Sequence, residues 1–159
     1  MAKKKKVETV KPYVRRKDLS YDNIMKATSP YEQYIQEAAK TYNFDPDSIR
    51  AHIFQESTGN TKLPKGLMQI TPIALAQLEQ LKYNLSGYDN KDPRSNIMAG
   101  TRLLSYYRDL EAKNSKQDPN SLDVVKAYTR QYNGDKDGTK YYWERINDAY
   151  NTIKNKNGE

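Results

Sequence analysis

Residues 46–57 read PDSIRAHIFQES and have the pattern of a helix with one apolar face. An aspartate precedes the proline, and a capping side chain followed by Pro is a strong helix-start signal. Ile49, Ile53 and Glu56 are spaced by four and three, so they share a face. Burial and the negative end of the helix dipole would both raise the pKa of Glu56 there. Alternatively Glu56 points to water from the last turn, and its position alone does not decide between the two.

The same start signal recurs along the chain, where four more prolines follow Ser, Thr or Asp: Ser29-Pro30, Thr71-Pro72, Asp92-Pro93 and Asp118-Pro119. Ser29 also has Glu32 three residues later, as in a capping box. With apolar periodicity, these signals predict helices at 30–42, 46–57, 72–82, 93–113, 119–132 and 140–155. No stretch alternates convincingly as a strand, so we predict an all-α domain of about six or more helices.

The positive charge is concentrated at the N-terminus. The chain carries a net charge of +7, and residues 1–29 hold nine Lys or Arg against three Asp or Glu. Residues 1–28 lack sustained apolar periodicity, so we expect a flexible basic arm there and one domain at 29–159. The Lys3–Lys6 run could attract anionic wall polymers, lipid head groups or nucleic acid. The rest of the chain is nearly neutral, which argues against a nucleic-acid-binding domain and any obligatory nucleic-acid partner.

Composition excludes several kinds of site. The chain has no cysteine, which rules out disulfides and thiolate metal ligands. His52 is its single histidine, so a multi-histidine zinc site is impossible, and we interpret His52 as a packing residue. We expect no metal and no cofactor. We also expect no transmembrane segment and no secretion signal, because no long apolar run follows the basic start.

Three further segments follow Glu56-Ser57 in a specific order. They are Gly66-Leu-Met-Gln-Ile70, Asn96-Ile-Met-Ala-Gly100 and Tyr132-Asn-Gly134. Over residues 31 to 150, this order resembles the catalytic domain of the soluble lytic transglycosylases, which are related in fold to goose-type lysozyme. The resemblance implies a lysozyme-like fold and a peptidoglycan lytic transglycosylase that acts on glycan strands without a cofactor.

The resemblance also assigns roles to individual residues. It implies that Glu56 is the general acid and then the general base for cleavage of the MurNAc–GlcNAc β-1,4 bond, with formation of 1,6-anhydro-MurNAc. The segment from Asn96 to Gly100 would be structural. The chain departs from the family pattern in a shortened loop after Glu56, so contacts from that loop are not carried over. The substrate-binding residues implied by the resemblance are Ser57, Met68, Gln69, Ile70, Tyr132 and Asn133.

Three other functions remain open at this point. A hydrolytic muramidase of the same fold would need a second carboxylate, for which Asp89 and Asp92 lie on a loop that could approach the cleft. A non-catalytic peptidoglycan-binding or virion structural module would bind walls without cutting them. A basic nucleic-acid-binding protein would depend on residues 1–29.

The expected absence of a secretion signal bears on delivery. We expect a protein made in the cytoplasm that acts in the cell wall or periplasm. It would be released by a holin, carried by a virion or exported by a specialised secretion apparatus. A phage lysis enzyme fits these routes, and the basic arm would contact the virion or secretion partner.

Overall fold

The chain folds into helices joined by loops, and the computed structural model describes residues 9–157. No strand occurs within these residues, which confirms the all-α prediction. None of their helices combines the length and apolar character that crossing a membrane requires. The α-helices are α1 (Tyr21–Thr28), α2 (Glu32–Tyr42), α3 (Pro46–Ser57), α4 (Pro72–Gln80), α5 (Pro93–Ser115), α6 (Leu122–Asn133) and α7 (Tyr142–Lys156), with a short 3-10 helix at Ser29–Tyr31.

Three of the predicted start signals operate as expected. The side chain of Asp45 accepts a hydrogen bond from a backbone N–H of α3, Thr71 does so for α4, and Asp92 for α5. In each case a proline occupies the first helical turn. Each cap satisfies a donor that the start of a helix would otherwise leave unpaired, which explains why these starts are predictable.

Two of the predicted start signals do not begin a helix where expected, and the helix predicted from residue 140 begins at Tyr142. Ser29 lies in the 3-10 helix, and α2 begins at Glu32 without a side-chain cap. The carboxylate of Asp118 accepts from the N–H of Asn120 at 2.7 Å, so the Asp-Pro pair closes a turn and α6 begins only at Leu122. Asp-Pro favours turns as well as helix starts, and here the turn forms.

Helix α3 is the centre of the molecule because it is buried on opposite sides. Ile49 and Ile53 pack in a core formed with α2, α5 and α6, while Ala51 and Phe54 pack in a second core formed with α1 and α7. Eight of its twelve residues are buried, so the helix can neither shift nor rotate without opening a core. Glu56 is therefore carried on the most firmly packed element of the fold.

The expectation of a flexible arm ending at residue 28 is wrong for residues 9–28. Ile24 of α1 is fully buried and Ala27 is 8% exposed, both in the core shared with α3 and α7. Upstream, the Arg16 guanidinium lies 4.0 Å from the Phe54 ring centroid and donates to the Phe54 carbonyl at 2.9 Å. The hydroxyl of Tyr13 donates to Asp148 of α7. One short apolar face is enough to dock α1, although it is too short to register as periodicity. The Lys3–Lys6 run lies outside the described residues.

Candidate active site

Glu56 lies in the last turn of α3, just before the helix ends at Thr58 in a left-handed conformation (φ +52°). Its side chain is partly buried. Burial raises the pKa of Glu56 from 4.5 to about 7, and the positive charge of Lys65 opposes that rise. Within residues 9–157, neither a hydrogen bond nor a second carboxylate contributes to this rise in pKa. At neutral pH the carboxyl is therefore protonated in a large share of molecules, as a general acid must be.

The loop Gly66–Ile70 forms a wall beside α3, and its shape depends on Gly66. The φ of Gly66 is +74°, and a Cβ there would lie 2.0 Å from the carbonyl oxygen of Asn90. Asn96 of α5 fixes the loop from behind, since its Oδ1 accepts from the N–H of Met68 at 2.7 Å and its Nδ2 donates to the carbonyl of Lys65 at 3.0 Å. Asn96 is fully buried. This geometry agrees with the structural role assigned to the Asn96–Gly100 segment.

Met68 and Ile70 were both predicted to bind substrate, but the structure buries their side chains away from solvent. Met68 is fully buried and Ile70 is 1% exposed. A Cβ on Gly100 would lie 2.6 Å from the sulfur of Met68, so Met68 packs directly against the backbone of α5. Both side chains support the loop from the core side, and a ligand in the groove could reach only the backbone at these positions.

Gln69 is the partly exposed side chain of this loop, held in a left-handed conformation (φ +52°). Its Nε2 donates to the Gly66 carbonyl at 2.8 Å, and no described residue engages its Oε1. Ser57 is buried, and its Oγ donates to the Ile53 carbonyl at 3.0 Å and accepts from the Gly59 N–H at 3.2 Å. Ser57 thus stabilises the end of α3. Substrate contacts by Ser57 and Gln69 stay predictions.

Tyr132 and Asn133 occupy the last two positions of α6. The hydroxyl of Tyr132 donates to the Met68 carbonyl at 2.7 Å, which ties α6 to the loop. Burial, reinforced by the negative charge of Glu56, raises the pKa of Tyr132 well above its ordinary value. The tyrosine therefore remains neutral and close to the carboxyl. Asn133 is exposed next to it, and its contact with substrate stays a prediction.

The sequence of this domain also matches a known protein family. Residues 33–159 match the family model described as the transglycosylase SLT domain. The chain belongs to the SLT domain family. Members of this family are lytic transglycosylases that act on peptidoglycan, and their fold is lysozyme-like. No solved structure matches the chain.

Two neighbours of Glu56 in this SLT domain were missed as site residues. His52, one turn earlier on α3, is fully buried, and burial lowers its pKa to about 3, so it is neutral. Its Nδ1 lies 2.8 Å from the hydroxyl of Tyr142, and its ring meets Tyr132 edge-on at 5.2 Å. Burial and the charge of Glu56 raise the pKa of Tyr142. The spacing of four between His52 and Glu56 was the only sequence signal for this cluster.

Tyr142, the first residue of α7, is held in place by Asp135. Asp135 is 1% exposed, and its two carboxylate oxygens accept from the N–H groups of Lys140 at 3.0 Å and Tyr142 at 3.1 Å. These bonds satisfy donors at the helix N-terminus, where a negative charge is also favourable. The cluster of Tyr132, Tyr142 and His52 is therefore a rigid, uncharged surrounding for Glu56.

The two aspartates considered as a second catalytic carboxylate have other roles. Asp92 caps α5 by accepting from the N–H of Ser95 at 2.8 Å, and Asp89 accepts from the N–H of Lys91 at 2.9 Å. Neither contributes to the pKa of Glu56. The described residues also bring together no group of three or more side chains that could hold a metal ion.

Proposed function

We propose that this SLT domain cleaves the β-1,4 bond between MurNAc and GlcNAc and forms 1,6-anhydro-MurNAc, with Glu56 as acid and then base. The observation that supports this proposal is a single carboxyl whose burial brings its pKa to about 7. A group with that pKa can give a proton in one step and take one back in the next. The peptidoglycan substrate follows from family membership.

In the first step, the Glu56 carboxyl gives its proton to the glycosidic oxygen. The bond from that oxygen to C1 of MurNAc breaks, GlcNAc leaves with a free C4 hydroxyl, and the acetamido group of MurNAc supports the positive charge at C1. In the second step, the Glu56 carboxylate takes the proton of the C6 hydroxyl while that oxygen bonds to C1. The enzyme returns to its starting state, and no water is consumed.

The surroundings of Glu56 favour this route over hydrolysis. A muramidase of the common inverting or retaining type needs a second carboxylate as base or nucleophile. No such group influences Glu56 among the described residues. His52, Tyr132 and Tyr142 are neutral at pH 7, so none of them supplies a second anionic group beside Glu56.

Analysis of the soluble products from purified sacculi tests the proposal. Wild type, Glu56→Gln and the matched control Glu79→Gln would be compared by mass spectrometry, since Glu79 is exposed on α4. Anhydro-muramyl products from wild type and the control, and none from Glu56→Gln, are expected. Reducing muramic ends would instead identify a muramidase. Absence of soluble product from a folded protein that binds sacculi would leave the binding-module function.

A further inference from the structure

A second groove, of about 460 Å³, lies between α6, α7 and the first turn of α3. Its walls include Trp143, the only tryptophan of the chain, together with the rings of Tyr128 and Tyr150. Ser48, at the start of α3, lies on its edge. Eight residues separate Ser48 from Glu56, which is about 12 Å at the helical rise of about 1.5 Å per residue. The groove is therefore at the opposite end of α3 from the catalytic candidate.

Several polar groups in this groove make no hydrogen bond within residues 9–157. Tyr128 is only 5% exposed, yet no described residue gives its hydroxyl a hydrogen bond. The side-chain amides of Asn147 and Asn151 and the indole N–H of Trp143 are likewise unused by the described residues. None of these atoms is among the fully buried atoms that lack a partner, so they face the groove. These groups are thus available to a ligand that can both donate and accept.

The charge of the groove limits the kind of ligand. Among the described residues, no lysine or arginine lines the groove, and its one carboxylate is that of Asp45. Asp45 already accepts from the hydroxyl of Tyr150 at 2.6 Å and lies 3.8 Å from the Lys154 ammonium. An anionic ligand would find no cation here, and a cationic ligand would find a carboxylate that is already engaged. The groove therefore fits an uncharged ligand.

We propose that this groove binds an uncharged N-acetylhexosamine unit of a glycan strand. Aromatic rings suit the apolar C–H face of a sugar, while amides and hydroxyls suit its hydroxyl and acetamido groups. The volume is in the range of small-molecule sites. The inference rests on the proposed function for the source of the sugar, which is the peptidoglycan strand. A second contact would keep the enzyme on the strand after each cleavage, by raising the local concentration of substrate.

Fluorescence of Trp143 provides a direct test, because no other tryptophan contributes. N-acetylglucosamine tetrasaccharide would be titrated into wild type, Glu56→Gln and the double variant Asn147→Ala/Asn151→Ala. Asn155→Ala is the matched control, as an exposed asparagine of α7 outside the groove. A saturable emission change is expected in the first two proteins and in the control. The double variant loses two hydrogen bonds to the sugar, so its Kd should rise about tenfold or more.

Three results would overturn the inference. The first is no emission change with about 10 mM sugar, which would mean a Kd well above the millimolar range. The second is an equal response in the double variant. The third is a response to an amphipathic peptide but not to sugar. Failure of the proposed function would look different. Sacculi would then yield no anhydro products, while the emission titration, which requires no cleavage, would be unaffected.

Discussion

Replacing Glu56 with glutamine is expected to stabilise the folded protein above pH 7 and to leave its stability unchanged near pH 4. Burial raises the pKa of Glu56 from 4.5 to about 7, so the folded state holds this proton more tightly than the unfolded chain. Stability therefore falls as pH rises from about 4.5 through about 7. At about 1.4 kcal/mol per tenfold difference in proton affinity, the full loss is about 3 kcal/mol. Partial exposure of the side chain reduces it to about 2 kcal/mol.

Thermal unfolding at pH 4 and pH 8 measures this effect. Glutamine resembles the protonated carboxyl, so Glu56→Gln should raise Tm by about 4 to 8 °C at pH 8 and by almost nothing at pH 4. The exposed control Glu79→Gln should show no such difference between the two pH values. A Glu56→Gln protein that is less stable than wild type at pH 8, or equally changed at both pH values, would refute the view that burial keeps the pKa high. The cleavage activity of Glu56→Gln should be lost at both pH values.

Three further substitutions test how the site is held. Gly66→Ala should lower the free energy of unfolding by about 3 kcal/mol, because of its positive φ and the 2.0 Å approach to Asn90; an unchanged denaturation midpoint would contradict this. Arg16→Ala removes the hydrogen bond and the ring contact with Phe54, so it should lower the free energy of unfolding by about 1 to 2 kcal/mol, as measured by thermal unfolding. Arg16→Lys should restore only part of that stability. Tyr132→Phe should lower the free energy of unfolding by about 1 kcal/mol and should also lower kcat. Full activity of this variant would show that the hydroxyl is dispensable.

The features that could be predicted from the sequence are those that depend on residues close together along the chain. The starts of α3, α4 and α5 are set by Asp45, Thr71 and Asp92, each of which caps a backbone N–H two or three residues away. Its place on an apolar helix face also predicted that burial raises the pKa of Glu56, while its catalytic role stays a prediction. Helix α1 was not predicted because its apolar side depends mainly on Ile24, whose burial depends on α3 and α7, far away in the sequence. A short pattern of that kind is indistinguishable from a solvated segment.

The burial of the Met68 side chain and the position of Tyr142 could not be predicted for a related reason. A motif names residues that occur together, but it does not say whether the side chain or the backbone is used. Met68 contributes its N–H to Asn96 and its carbonyl to Tyr132, while its side chain is buried. Tyr142 comes close to Glu56 only because α7 packs along α3, a long-range contact that leaves no periodic signal in the sequence.

The acidity of Glu56 and the stability of the fold have a common structural cause. Ile53 and Phe54 hold the last turn of α3 between two cores, and the residues that cover Glu56 are uncharged at neutral pH. Lys65 is the one charge that opposes the rise in pKa, and it is exposed to water. A closer cation would lower the pKa of Glu56 and recover stability at neutral pH, but it would also remove the proton that the proposed cleavage requires. Under the proposed function, a better-stabilised carboxylate would be a weaker catalyst, which accounts for a carboxyl that is costly to ionise.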